Sequence, residues 1–239
     1  MSEEFPYPRF QIRRRFFKFI GSLLFKLFAQ VEIIGKENLP TEGPIIVVAN
    51  HFSFADPSLL IHLLPWQLEF LAGTNHPGAP NKIIGNMPKL WGVYKVQRGT
   101  SSRYAFKASS AIMQQGGILG IFPEGGVWAT VLRPARPGVP LITANSQAPL
   151  LPIGIDGMDK MFPLKFSLFR RTKITVRVGE QFGPFQVTGR GKERRAQLDN
   201  IGDEIMSKIA ELLPPEKRGL WADDPKLVEE AKAVSEFPW

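Results

Sequence analysis

Short apolar runs alternate with stretches of helical periodicity along this chain, and this alternation restricts its fold more than any other feature. The run GPIIVVANH (43–51) is β-branched and is entered through Gly-Pro, which indicates a buried strand. Further strands, some with a following turn, are predicted at 31–40, 68–73, 92–99, 118–126, 150–157 and 172–184. Helices are predicted between them at 56–64, in the low 80s, and at 101–117, 136–149 and 192–213. This order predicts a single α/β domain with a mostly parallel central sheet flanked by helices.

A basic amphipathic helix is predicted in front of that domain, over residues 9–30. Its apolar positions follow helical spacing, and it contains six basic residues and no acidic one. Such a segment is typical of a helix that lies in a membrane interface, whereas the structural alternative is a core-packing helix with a solvated basic end. We therefore divide the chain into an N-terminal membrane-association helix (1–30), a main domain (31–213) and a loosely structured C-terminal tail (214–239).

Composition narrows the classes of function. The absence of cysteine excludes disulfide bonds, thiolate catalysis and cysteine-based metal sites. The net charge of +8 attracts nucleic acid, anionic membrane or phosphorylated substrates and does not choose among them. We find no nucleic-acid-binding motif, so nucleic acid is not an expected partner. No run reaches the roughly 18 apolar residues of a spanning helix, and FIGSLLF (19–25) lacks the cleavage site of a signal peptide.

One histidine stands where a ligand site is expected. His51 follows a predicted buried strand, and Asp56 comes five residues later at the start of a predicted helix. This spacing does not place both side chains on one helix face, but a turn between strand and helix would bring them together. A carboxylate bound to one imidazole nitrogen leaves the other nitrogen available as a base. The structural alternative is an N-capping Asp56 beside a buried histidine.

Two further segments carry candidate binding residues. Arg98 ends the predicted strand GVYKVQRG, where a guanidinium would bind a phosphate bidentately, although a surface arginine is the simpler alternative. Glu124 and Gly125 lie in a Pro/Gly turn after an apolar strand, where glycine permits close approach of a ligand and offers an N–H donor. An ordinary turn with a solvated glutamate is the alternative. Arg133 and Arg136 add positive charge near the same turn.

Several other kinds of site are excluded. The chain contains no nucleophile elbow, no P-loop and no dinucleotide-binding glycine motif. His62 and His76 are too scattered to suggest a metal site with His51. We therefore expect no metal and no bound cofactor. Without an evident nucleophile, direct transfer through a histidine base is the more economical mechanism.

Four segments together resemble the glycerolipid acyltransferase family, typified by the 1-acylglycerol-3-phosphate acyltransferases. NHFSFAD (50–56) is similar to the family's Asn-His-four-residues-Asp motif, and GVYKVQR (92–98) to its glycine-to-arginine motif. FPEG (122–125) and the proline-containing strand APLLPIG (148–154) match the remaining two in order and spacing. The resemblance covers roughly residues 30–180.

The resemblance implies a mechanism and two substrates. His51 would take the proton from a hydroxyl of a lysophospholipid-like or glycerol-phosphate-type acceptor, and Asp56 would hold the imidazole tautomer. The acceptor oxygen would attack the thioester of an acyl-CoA or acyl-carrier-protein, without a covalent acyl-enzyme. Arg98 would hold the acceptor phosphate, and Glu124 and Gly125 would help position the acceptor. The enzyme would act in phospholipid biosynthesis, peripherally on the anionic cytoplasmic face of the cell membrane.

One departure from the family pattern concerns the phosphate. The family usually continues Phe-Pro-Glu-Gly with Thr-Arg, whereas this chain continues with Gly126 and Val127. One phosphate contact is therefore missing or moved, and Arg133 or Arg136 is the hypothetical replacement. An acceptor other than lysophosphatidate becomes more plausible for the same reason. The alternative function is a non-catalytic lipid-binding module that has kept the fold.

Overall fold

The computed structural model describes residues 4–73, 82–96, 103–161 and 171–236. Seven strands of the described residues form one sheet in the order β1-β7-β6-β2-β5-β3-β4. They are β1 (Ala29–Ile34), β2 (Ile45–Ala49), β3 (Leu68–Gly73), β4 (Tyr94–Val96), β5 (Ile118–Ile121), β6 (Leu150–Asp156) and β7 (Thr172–Val178). Every pair in that order is parallel except β6 with β7, which is antiparallel. The predicted mostly parallel α/β sheet is thus confirmed.

Seven α-helices accompany the sheet within the described residues. They are α1 (Gln11–Phe28), α2 (Asp56–Leu63), α3 (Lys82–Trp91), α4 (Arg103–Gln114), α5 (Gly138–Ser146), α6 (Gly191–Ala210) and α7 (Pro225–Ser235). Short 3₁₀ turns form at Lys36–Asn38, Met158–Met161, Pro215–Lys217 and Gly219–Trp221. The predicted helices therefore form, with ends displaced by a few residues, as is usual for boundaries read from sequence.

Both faces of the sheet are covered, which explains the unbroken apolar character of the central strands. In β2, Ile46 and Val48 belong to a core cluster with α4, α5 and α6. Ile45 and Val47 point to the opposite face and belong to the cluster that includes α2. The domain therefore has three layers, with α4, α5 and α6 on one side of the sheet and α1 and α2 on the other.

The parallel pairing brings three loops to one edge of the sheet. The ladder between β2 and β5 ends at Val48 and Ile121, and the ladder between β2 and β6 ends at Ala49 and Ile153. The loops that follow these strands therefore leave the sheet side by side. Ligands of open α/β sheets bind at such carboxyl edges.

The N-terminal region is built into the domain rather than attached to it. Phe5 is fully buried in the core cluster of α4, and the Tyr7 N–H donates to Gln115 at 3.1 Å. Arg14 of α1 is also fully buried. A boundary at residue 30 therefore does not separate an independent helix from the domain.

The prediction that the C-terminal region is a loosely structured tail was wrong. It forms two 3₁₀ turns and the eleven-residue helix α7. The side chain of Asp224 caps α7 by accepting from the Lys226 N–H at 2.9 Å, and Pro225 occupies the first turn. The Asp-Pro pair was the local signal for this helix.

Candidate active site

His51 and Asp56 meet at the carboxyl edge of the sheet. The Nδ1 atom of His51 lies 3.1 Å from Oδ2 of Asp56, and the Asp56 carboxylate is fully buried. The imidazole stacks on the Phe122 ring with 4.2 Å between centroids, and 15% of the His51 side chain stays exposed. Burial raises the pKa of Asp56, while the hydrogen bond and charge of His51 lower it. The expected approach of the two side chains is observed, and their catalytic role stays a prediction.

The Asp56 carboxylate does not serve as a helix N-cap. The N-cap of α2 is Ala55, which makes no side-chain capping bond. Instead Oδ2 of Asp56 accepts from the Ser53 N–H at 2.7 Å and from the His51 ring. Both contacts lie within the connection between β2 and α2, so the carboxylate fixes the shape of the loop and the direction of the imidazole at once.

The structural role of Asn50 in the site was not predicted from the sequence. Its side chain is fully buried and makes two hydrogen bonds with the backbone of Ile155, donating to the carbonyl at 2.9 Å and accepting from the N–H at 2.7 Å. These bonds join the end of β2 to β6 beyond the last ladder pair. The signal was its place directly before the histidine in NHFSFAD.

Glu124 lies behind the backbone of His51, enclosed by the protein. It is fully buried, Oε1 accepts from the His51 N–H at 2.6 Å, and Oε2 accepts from Nε of Arg133 at 3.0 Å. Burial raises the pKa of Glu124, and the Arg133 charge opposes that shift. Both carboxylate oxygens bind protein groups, and the contact of Glu124 with an acceptor stays a prediction.

Gly125 lies in the turn that follows Glu124 and has a left-handed backbone conformation. Its φ is +75°, and its N–H donates to the Phe122 carbonyl at 3.1 Å, so this donor closes the turn. The part of Gly125 in positioning an acceptor stays a prediction. A Cβ at Gly125 would lie 2.8 Å from Cγ of Arg136. Glycine thus leaves room for the stem of Arg136, which is half-buried beside the turn.

Arg133 is enclosed beneath the turn. Its side chain is fully buried, and Nη2 donates to the Gly126 carbonyl at 2.6 Å in addition to the Glu124 contact. The Trp128 ring covers the guanidinium with 3.4 Å to the centroid. Nη1 is buried and has no hydrogen-bond partner among the described residues. Arg98, the other predicted phosphate contact, lies outside the described residues.

Helix α1 packs two of its basic side chains against the domain and leaves an apolar face exposed. Fully buried Arg14 pairs with Glu69 at 2.5 Å, and Lys18 donates to the Leu64 carbonyl at 2.5 Å. Both the membrane-interface prediction and its core-packing alternative place the basic residues outside the core, whereas Arg14 is buried and binds α1 to the domain. An exposed apolar face is left on the opposite side, comprising Ile12, Phe16, Phe19, Ile20, Leu23, Leu24 and Leu27.

Two kinds of structure are absent from the described part of the chain. No helix there is long and apolar enough to cross a bilayer. No group of three or more His, Asp or Glu side chains there is arranged to hold a metal ion.

Comparisons with known proteins agree on one family. The sequence model of the Acyltransferase family matches residues 30–156, more than half of the chain. A 1-acyl-sn-glycerol-3-phosphate acyltransferase of Bacillus subtilis is 27% identical over 159 residues, which cover 66% of this chain and 76% of that protein. A chloroplastic enzyme of the same name from Brassica napus is 30% identical over 159 residues, covering 63% of this chain and 45% of that protein.

The fold is also found among solved structures. The crystal structure of the 1-acyl-sn-glycerophosphate acyltransferase PlsC from Thermotoga maritima superposes with a TM-score of 0.57. The match covers 83% of this chain and 81% of that chain at 22% sequence identity. At this identity the likeness supports the fold.

Proposed function

This chain belongs to the glycerolipid acyltransferase family, and we propose that it moves a fatty acyl group from a thioester to a hydroxyl of a lysophospholipid or glycerol-phosphate-type acceptor. The observation that carries the proposal is the 3.1 Å contact between His51 Nδ1 and the buried Asp56 carboxylate. The donor is acyl-CoA or acyl-carrier-protein, and the product enters phospholipid biosynthesis. The names of the matched relatives support the acceptor class.

The chemistry needs one base and no covalent intermediate. Asp56 keeps the proton on Nδ1, so Nε2 of His51 accepts the hydroxyl proton while the acceptor oxygen attacks the thioester carbonyl. The tetrahedral intermediate expels the thiolate, which takes the proton back from the imidazolium, leaving an ester, a free thiol and a neutral histidine. Such a base contributes about 10² to 10⁴ in rate, and positioning of both substrates adds further.

The acceptor phosphate requires cationic partners at this edge. Arg98 stays our prediction for one of them. Of the two candidates for the missing family arginine, we assign Arg136, because it is half-buried beside the Gly125 turn. Arg133 is enclosed by Glu124, Gly126 and Trp128, and we assign it to holding the loop.

The apolar face of α1 is the proposed membrane contact. Exposed Arg13, Arg15 and Lys26 flank that face, and no acidic residue lies on the helix. Apolar side chains would enter the acyl boundary, while each basic side chain near an anionic surface contributes about 1 kcal/mol. This surface would hold the protein peripherally on the cytoplasmic face of the membrane, where a lysophospholipid acceptor resides.

The test is an acyl-transfer assay on vesicles. Purified protein receives lysophosphatidate and acyl-CoA, or acyl-carrier-protein in a parallel arm, and free thiol and lipid product are measured. Asp56→Asn is expected to lower kcat on the order of 10² to 10⁴-fold, and His51→Ala at least as much. Asp203→Asn, an exposed aspartate on α6, serves as the matched control.

Two results would reject the proposal. Wild-type turnover in a folded His51→Ala protein would remove the base from the mechanism. Vesicle binding without thiol release, across a broad panel of acceptors and both donors, would favour the non-catalytic lipid-binding module instead.

A further inference from the structure

The C-terminal segment, defined here as residues 214–235, lies beyond the family-matched region and packs against the loop that carries Arg133. The Leu132 N–H donates to the Lys217 carbonyl at 2.9 Å. Gly219 has a φ of +60°, and a Cβ there would fall on the carbonyl oxygen of Leu132. The two backbones are therefore in direct contact on the residue before Arg133.

A second contact joins α7 to the same loop. The indole N–H of Trp128 donates to the Val234 carbonyl at 3.3 Å. The same ring lies over the Arg133 guanidinium at 3.4 Å. The helix thus holds the aromatic ring that covers the buried arginine.

A third contact fixes the C-terminal segment to the sheet edge. The Lys217 ammonium lies 2.8 Å from Asp156 at the end of β6 and 2.9 Å from Asp159. It is also 5.7 Å from the centroid of the Phe52 ring, directly after His51. The segment is therefore held against the strand end beside the site.

From these contacts we propose that the C-terminal segment sets the position of His51 through Arg133 and Glu124. Arg133 donates to Glu124, and Glu124 accepts from the His51 N–H, so a displaced Leu132–Arg133 loop displaces the histidine backbone. Trp128, Lys217 and Gly219 are then positioning residues for acyl transfer. The inference rests on the proposed function for its kinetic consequence, whereas its geometric consequence stands alone.

The sharpest test compares two glycine substitutions. Gly219→Ala and Gly191→Ala both place alanine at positive φ, but a Cβ at Gly191 meets nothing within 4 Å. Any extra effect at Gly219 therefore comes from pushing Leu132. We expect Gly219→Ala to lower kcat about 10²-fold, as for an ångström-scale misplacement, with little change in the KM for donor. Gly191→Ala is expected to keep the wild-type kcat.

A second pair of variants covers the case in which Gly219→Ala does not fold. Lys217→Ala is expected to lower kcat with little change in KM, and Lys217→Arg to restore it, because arginine can also pair with the two aspartates. Lys232→Ala is the matched control, since it breaks an exposed ion pair with Glu229 in the same segment.

The NMR resonance of the His51 imidazole is the readout that a purely structural role of Lys217 would leave unchanged. The chain has three histidines, so the His51 signal is assigned from the His51→Ala spectrum. We expect it to shift in Lys217→Ala and not in Lys232→Ala. An unchanged resonance and unchanged kcat in Lys217→Ala would overturn the inference. If the wild-type protein transfers no acyl group, the proposed function fails, and the resonance alone decides the inference.

Discussion

Glu69 and Glu124 are both fully buried, and each pairs with a fully buried arginine. The two carboxylates nevertheless bind different parts of the protein. Glu69 on β3 accepts from Arg14 at 2.5 and 2.8 Å and from Arg9 at 2.6 and 3.2 Å. Glu124 accepts one bond from Arg133 and one from the His51 backbone. The first carboxylate fastens a helix, and the second fastens the candidate base.

The surroundings of the two glutamates explain the difference. Arg9 and Arg14 also donate to the Gly92 and Trp91 carbonyls, so the Glu69 cluster ties α1 to the end of α3. A buried ion pair is weak evidence for net stability, but its position determines which elements are held in register. The same pair of side-chain types therefore serves attachment in one place and alignment of the site in the other.

The largest expected effect comes from breaking the second pair. Glu124→Ala removes the acceptor of the His51 N–H and leaves Arg133 buried without a carboxylate. We expect kcat to fall about 10²-fold or more, since a small displacement of a positioned base is costly. The free energy of unfolding should fall by about 3–5 kcal/mol. Steady-state kinetics and chemical denaturation measure the two changes, and a wild-type kcat would contradict the role of Glu124.

Breaking the first pair should separate stability from catalysis. Glu69→Ala leaves Arg14 buried and unpaired, so the free energy of unfolding should again fall by about 3–5 kcal/mol. The kcat of the folded protein toward short-chain, water-soluble substrates should stay close to wild type, because Glu69 makes no contact with His51 or Asp56. A kcat loss as large as that of Glu124→Ala would erase the proposed distinction.

Apolar replacement of both partners sharpens the comparison further. Such replacements of a buried pair are often neutral or stabilising, because no desolvated charge is left. Arg14→Met with Glu69→Leu should recover only part of the stability lost in Glu69→Ala and keep activity, because Arg9 also loses its carboxylate partner. Arg133→Met with Glu124→Leu should recover stability but not kcat, because the His51 N–H still lacks its acceptor. Recovery of kcat in the second double variant would show that Glu124 acts only in folding.

The smallest loss of stability is expected for substitutions on the exposed face of α1, the helix that Glu69 binds through Arg14. Phe19 and Leu23 of α1 are 69% and 58% exposed, so Phe19→Ser with Leu23→Ser should change the free energy of unfolding by only about 0.5 kcal/mol each. Affinity for anionic vesicles should fall at least tenfold, because burying one such side chain contributes about 1.5–3 kcal/mol. Vesicle co-sedimentation measures this, with Tyr104→Ser on the opposite face of the sheet as control.

Much of the site was predictable because its residues are close in sequence. His51 and Asp56 are five residues apart in one loop between a clear strand and a clear helix, and their contact follows from that local geometry. The contact of Glu124 with the His51 backbone was not predictable in the same way. It spans 73 positions and depends on the pairing of β2 with β5.

The orientation of α1 shows the same limit in another form. The sequence identifies an amphipathic basic helix, but periodicity only separates two faces and does not say which one packs. Glu69, 55 positions away from Arg14, decides this by binding the side of the helix that carries Arg14. The helix α7 was missed for a different reason, since its few apolar residues hid a clear Asp-Pro start.

The sequence by itself determined the order of strands and helices, the family motifs and the nearness of His51 to Asp56. These depend on backbone preferences and side-chain alternation over a few residues, which are short-range effects. Only the tertiary structure decided which charges are buried, which face of α1 is left outside, and that the C-terminal segment reaches the loop of Arg133. Burial and ion pairing depend on elements far apart in the chain, and the packing of the whole sheet is what brings them together.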